Sequence, residues 1–255
     1  MIKKALTYLF FLALMSFGNE SFSFDFSLPA DSLMKKKREM RNKHPLHRFY
    51  GATGAELIFS FADVRADSMT VTNKVRFSLF PHVQQQGHYN FSKHFGFYTG
   101  LSLINVGFKN NFQLNDTLQF ELRQRSMSLG VPLALKLGNM EKGNYIALGC
   151  SAELMFHYKY KLFYQDEKIK YKDWFSEEVN LFNPSLFVDF RNKTGGYIRF
   201  KYYLNNFLPV KNSVYLLPES MQQISVSNTQ SVMFYVSVGS TFMKKKPRKL
   251  TLDDV

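Results

Sequence analysis

The 255-residue sequence predicts an all-β fold: an eight-stranded antiparallel transmembrane β-barrel in an up-and-down meander. Three observations predict it. Eight stretches alternate apolar and polar residues with period 2, the repeat of a strand whose two faces meet different environments. Aromatic residues make up 16% of the chain, with 27 Phe and 14 Tyr, and they recur near strand ends, as interfacial girdles require. No stretch after residue 20 approaches the roughly 20 apolar residues of a spanning helix. A chain that crosses lipid without helices must close into a barrel, because lipid satisfies no open sheet edge.

The chain begins with the pattern of an export signal over residues 1–23. Lys3 and Lys4 are a basic start, residues 5–17 are an apolar run, and small residues follow at Gly18, Ser21 and Ser23, so cleavage after Gly18 or after Ser23 fits. Residues 24–49 form a basic segment in which Lys35, Lys36, Lys37 and Arg38 lead seven basic residues against Glu39. Asp31 and Ser32 suit the cap of a short helix through Met40, which Pro45 would end.

The strands follow from residue 50. Residues 54–62 set Leu57, Phe59 and Phe61 against Glu56, Ile58 and Ser60, and residues 73–80 set Val75, Phe77 and Leu79 against Lys74, Arg76 and Ser78. Residues 94–108 oppose Phe95, Phe97, Thr99, Leu101 and Leu103 to Gly96, Tyr98, Gly100 and Ser102. The fourth strand, residues 126–137, is the most regular. Its odd positions from Met127 to Leu137 are all apolar, and a helix would scatter them around its circumference. Pro132 removes a ladder donor and predicts a local bulge. Residues 145–158, 184–190, 196–204 and 231–242 complete the eight, the last reading SVMFYVSVGSTF with Val232, Phe234, Val236, Val238 and Phe242 on one face.

Alternation does not say which face points outward, since a soluble barrel keeps its apolar stripe inside and a membrane barrel inverts it. Glu56, Arg76, Glu153, Asp189, Arg199 and Lys201 all fall on the polar stripe, where they would form a structural charge cluster across a narrow lumen. Connections favour the same inversion, because short periplasmic turns alternate with longer external loops in such barrels. Residues 138–143 and 192–195 are short; residues 109–125, 159–183 and 205–230 are long. Residues 81–93 depart from that order, being long for a periplasmic turn.

The net charge of +13 is concentrated in the flanks. Residues 49–242 hold 19 basic and 14 acidic residues, whereas residues 243–255 form a basic tail led by Lys244, Lys245 and Lys246. A nucleic-acid surface needs basic residues on the folded body, so nucleic acid is not an expected partner. Both ends of an even-stranded barrel emerge on one side. The two basic runs are therefore expected to act together, as solvated tails or as contacts to anionic head groups or to a periplasmic or envelope protein. Outer-membrane lipid is the other expected partner. The single cysteine, Cys150, allows no intramolecular disulfide.

Four stretches resemble a known family: NFSKHFGFYTGLSLINVGFKNNF at residues 90–112, SLGVPLALKLG at residues 128–138, GYIRFKYYLNNF at residues 196–207, and the closing strand. Together they are similar to the outer-membrane β-barrel domain family common in Bacteroidetes, the porin-family or PorT-like barrels. The resemblance spans roughly residues 52–242 and implies residence in the cell outer membrane, with a role in envelope assembly or protein secretion. Its motifs are architectural and carry no chemistry. The basic tail after Phe242 departs from chains that end on the aromatic residue.

No catalytic residue, cofactor site or metal site is expected. His157, read on the polar face near Glu153, is the strongest enzymatic candidate and lacks a positioned serine. His82, His88 and His94 are too irregularly spaced for a metal site. The segment FYQDEKIKYKDWFSEE, residues 163–178, holds the sole tryptophan, Trp174, and reads as an external extension suited to recognition. The expected function is a non-enzymatic scaffold or interaction protein, with a narrow porin as the alternative and an outer-membrane lipid-modifying enzyme behind both.

Overall fold

A computed structural model describes residues 48–66, 69–115, 118–165, 167–210, 212–216 and 223–243. The expected signal segment and both basic flanks, with Lys35, Lys36, Lys37, Arg38, Lys244, Lys245 and Lys246, lie outside the described residues. Eleven strands form among them: β1 (Phe49–Ala66), β2 (Thr70–Lys74), β3 (Arg76–Asn90), β4 (Phe95–Asn115), β5 (Leu118–Asn139), β6 (Asn144–Tyr164), β7 (Glu167–Trp174), β8 (Phe182–Arg191), β9 (Gly196–Tyr203), β10 (Asn212–Leu216) and β11 (Gln223–Met243).

Eight of these form a closed antiparallel ring. The order is β1-β3-β4-β5-β6-β8-β9-β11, and β11 returns to pair with β1 from Ala52↔Met243 to Ala66↔Asn228. The remaining three are outward continuations: β2 lies on β4, β7 on β6 and β10 on β11. The eight-stranded barrel is thus present.

At one end three short turns connect the strands, at residues 91–94, 140–143 and 192–195. Two use glycine in left-handed backbone, Gly143 at φ 76° and Gly195 at φ 87°, where a side chain would be strained. Asn192 Oδ1 closes the last turn by accepting the Thr194 and Gly196 amides at 3.1 and 2.9 Å. The other end carries the long hairpins. This asymmetry sets the periplasmic and external ends.

Along the membrane portion the apolar stripe faces out. On β5, Leu129, Val131, Leu133, Leu135 and Leu137 are each about half exposed, while Ser126, Ser128, Ala134 and Lys136 are buried inside. From Met127 to Leu137 the strand rises about 34 Å at roughly 3.4 Å per residue. A tilt of about 40° reduces this to about 25 Å, the height of a lipid-facing belt. At its lower rim Phe49, Phe91, Phe95 and Phe242 are exposed, as a girdle requires. Apolar outside and polar inside is the construction of outer-membrane-type barrels, and the chain is an outer-membrane β-barrel.

Four expectations need correction. Residues 81–93 are not a long turn: β3 runs through them to Asn90, and Gln84, Gln86, His88 and Asn90 read as loop because they line the lumen. The irregularity there is a register shift, with His82 opposite Glu56 and Ser78 opposite Ile58, which leaves residues 79–81 against Leu57. Pro81 lies within this break, where a strand tolerates proline. Pro132 makes no bulge: the register on β4 is the same on either side, Thr99↔Leu133 and Ser102↔Gly130, and on β6 it pairs with Ser151. Thr99 Oγ1 donates to the Pro132 carbonyl at 2.8 Å, fastening the strands where the proline has no amide.

The third and fourth corrections concern length and phase. Residues 109–125 and much of residues 159–183 are not loops, since β4, β5 and β6 contain 21, 22 and 21 residues and continue far above the belt. A spanning strand needs only about 9–11. In these extensions the apolar face changes sides: Phe112, Phe120, Leu122 and Leu162 point inward and are buried. On β6 a register shift opposite Met127 and Ser128 skips Phe156 and turns the strand face over. His157 consequently points outward and Glu153 inward, so the two do not share a face.

The lipid-facing assignment is checked by charge placed at two depths. Leu133→Arg at mid-belt should lower folding stability by about 2–4 kcal/mol, and Leu137→Arg at the rim by about 0–1 kcal/mol, in urea titrations of the protein folded into vesicles.

Candidate functional site

The lumen is lined by whichever residues alternate away from lipid, and an eight-stranded ring leaves room only for those side chains. Nearest the short turns, Lys136 Nζ donates to Asn90 Oδ1 at 2.6 Å and lies 5.2 and 5.3 Å from the rings of Tyr50 and Tyr145. Above it Asp189 is the hub. Its carboxylate accepts from Arg199 Nε at 2.6 Å and Nη2 at 2.9 Å, from Arg191 Nη2 at 3.1 Å and from Tyr98 Oη at 2.7 Å. The two guanidiniums lie over aromatic rings, Arg191 4.6 Å from Tyr197 and Arg199 4.7 Å from Phe187.

Glu56 accepts from Gln84 at 2.7 Å, Ser237 at 2.6 Å and Tyr197 at 3.2 Å, with Arg199 Nη1 at 3.8 Å. One layer further out, Glu153 is ion-paired to Lys201 and accepts from Tyr203 Oη at 2.8 Å and Ser128 Oγ at 3.0 Å. Five of the six residues expected in an interior cluster, Glu56, Glu153, Asp189, Arg199 and Lys201, are buried and joined this way. Arg76 is not: it stands higher on the wall, donating to Asn105 Oδ1 at 3.3 Å. Sequence reasoning left Arg191 and Lys136 out of the cluster, although Lys136 falls on the polar stripe of the fourth strand and Arg191 stands two residues from Asp189, which is the signal that would have included them.

Above Glu153 the lumen becomes apolar. Met155, Phe108, Ile104, Val106, Tyr235 and Tyr203 join one buried cluster with Leu122, Phe120 and Phe112. Two irregular segments, residues 175–181 and 204–210, fold into this mouth. Phe207 and Leu208 are buried there, held by their amides to the Ser231 carbonyl and hydroxyl, both at 2.9 Å, and Asn180 donates to the Phe207 carbonyl at 3.0 Å. Paired ions below and packed hydrocarbon above therefore fill the bore.

The outer wall above the belt differs in kind. In strict cross-strand register Lys74 faces Lys109, Lys109 faces Arg123, Arg123 faces Lys161, and Lys161 faces Lys170. The next row down holds Arg125, Lys159 and Lys172, with Gly107 beside Arg125. Glu121 bridges Lys109 at 2.7 Å and Arg123 at 2.5 Å. The ammonium of Lys159, in this external row, is held below its ordinary range by dehydration and then by Arg125, Lys170, Lys172 and Lys168. His157 sits just beneath, half-buried on the outside, with Trp174 edge-on at 4.7 Å. Among the described residues no group of His, Cys, Asp and Glu could hold a metal ion.

Asp189 offers the sharpest test of the interior network, because removing it takes the nearest carboxylate from two buried guanidiniums. Asp189→Ala should destabilise the barrel by about 3–5 kcal/mol. Asp63→Ala, which breaks the exposed 3.3 Å pair with Arg65, should cost less than about 1 kcal/mol in the same urea titration.

No protein-family model matches the chain, and no curated protein matches it. Solved outer-membrane barrels are similar in structure. The attachment invasion locus protein Ail of Yersinia pestis, in complex with the heparin analogue sucrose octasulfate, is 12% identical with a TM-score of 0.33, covering 76% of this chain and 99% of that one. OprG of Pseudomonas aeruginosa is 12% identical with a TM-score of 0.32, covering 79% and 98%. The outer membrane protein AlkL is 13% identical with a TM-score of 0.34, covering 79% and 94%.

Proposed function

We propose that this outer-membrane barrel is a non-conducting, non-enzymatic scaffold or interaction protein of the PorT-like class, serving envelope assembly or protein secretion. The observation that carries the reading is the filled bore. An ion crossing it would have to separate Asp189 from two arginines and then pass Phe207, Leu208 and the hydrocarbon around them. The separation of His157 from Glu153 onto opposite faces removes the pairing that would have supported a lipid-modifying enzyme.

The external half supports interaction. β7 pairs only with β6, and β10 only with β11, so each presents a strand edge without a main-chain partner among the described residues. Such edges accept an added strand. Beside them Trp174 and Phe175 are 64% and 57% exposed, in the aromatic chemistry that anchors protein interfaces.

Two measurements test the proposal. In planar bilayers the protein should give no unitary current steps, whereas regular steps would turn the reading to a narrow porin. Crosslinking with mass spectrometry in native membranes should recover envelope proteins joined to lysines of the external hairpins or of the basic flanks. A protein that crosslinks only to itself would sink the scaffold reading.

A further inference from the structure

The basic rows on the outer wall are unexplained by the barrel's own stability. Like charges directly opposite on neighbouring strands destabilise a sheet. Here four such pairs follow one another around the wall from Lys74 to Lys170, and Glu121, one row further up opposite Asn111 and Phe163, is ion-paired to Lys109 and Arg123 of that row. A surface that repels itself in this way is organised for an anion.

The wall also has a recess there. Pairing of β2 with β4 ends at Lys74↔Lys109, and pairing of β3 with β4 begins at Val83↔Leu103, so residues 104–108 of β4 lack a strand partner on that side. Side chains bridge the gap: Ser60 Oγ donates to the Gly107 carbonyl, and His82 Nδ1 accepts the Asn105 amide at 2.9 Å. A groove of about 260 Å³ opens over this seam, lined by six Lys and Arg residues and by no carboxylate. Gly107 beside it carries no side chain, and a Cβ there would collide with the Gln124 carbonyl oxygen. Arg76 lines the groove, and its Nη1 is buried with no hydrogen-bond partner among the described residues.

The other wall of the groove is Val75 and Phe77, 51% and 45% exposed and continuous with the lipid-facing belt. Arg125 lies one outward position above Met127, where the belt ends, so the recess sits at the level of the external head groups. Cations above hydrocarbon match a ligand with phosphate above acyl chains.

We propose that this groove is a binding site for the phosphorylated head group of a glycolipid in the outer leaflet. Phosphate oxygens accept from Arg76, Arg125 and Lys159, and the first acyl methylenes lie along Val75 and Phe77. The hydrocarbon wall commits the site to a membrane lipid rather than to a free anion, since a soluble phosphate would leave it bare.

The test uses the full chain in dodecyl maltoside micelles, with binding read by native mass spectrometry. Three probes are compared: lipid A bearing both phosphates, the same lipid with its phosphates removed, and inorganic phosphate alone. Removing the phosphates should weaken binding at least tenfold, and so should the double variant Arg125→Gln/Lys159→Gln, whose residues face each other and touch no carboxylate. Its urea midpoint should be unchanged or raised, because two like charges are gone. Lys142→Gln, on a periplasmic turn, should leave binding unaltered. Equal binding of the dephosphorylated lipid, full binding by the folded double variant, or displacement of lipid A by inorganic phosphate at the lipid's own concentration would each overturn the proposal. If the double variant does not fold, Lys161→Gln carries the same comparison.

Discussion

Closure of the sheet through β1 and β11 is the constraint on which the rest of the molecule depends. A ring of eight strands leaves no edge in lipid, but it also leaves a bore too narrow for water and polar side chains together. Inward polar groups must then be paired with one another, and most of the charged ones reach a partner on another strand. Asp189 answers Arg191 and Arg199, Glu56 answers Gln84, Tyr197 and Ser237, and Glu153 answers Lys201 and Tyr203. These contacts join β1, β3, β6, β8, β9 and β11 across the lumen, so they act as spokes as well as filling.

The membrane half and the external half solve opposite problems with the same strands. Below, lipid rewards apolar side chains outside and forces polar ones together inside. Above, water surrounds the wall, so hydrocarbon turns inward and lysine and arginine turn outward. β5 shows the exchange along a single strand: leucines at odd positions face out as far as Leu129, and Leu122 and Phe120 at even positions face in. The filled bore and the basic outer rows are two consequences of this one reversal.

That reversal also explains which parts of the structure were legible in the sequence. The eight-strand ring, its inversion and five of the six interior charges follow from period-2 alternation, because between Met127 and Leu137 nothing competes with it. The strand extensions were hidden because the alternation changes phase near residue 125, and a change of phase reads as the end of a strand. β3 was hidden for a related reason, since Gln84, Gln86 and His88 are polar on the lumen side and look like a turn. The placement of His157 needed the register shift past Phe156, and the basic rows needed the pairing of five strands. Neither is written in any one stretch.

The seam between β3 and β4 has a consequence of its own for how the wall behaves mechanically. Along most of the ring neighbouring strands are riveted by repeated main-chain bonds, so there they can part only by losing several at once. Over residues 104–108 the stitching is done by single side chains, from Ser60 to Gly107 and from Asn105 to His82. Side chains rotate where peptide groups do not. The cylinder therefore has a line along one side that side-chain rotation, rather than the loss of a ladder, is enough to loosen.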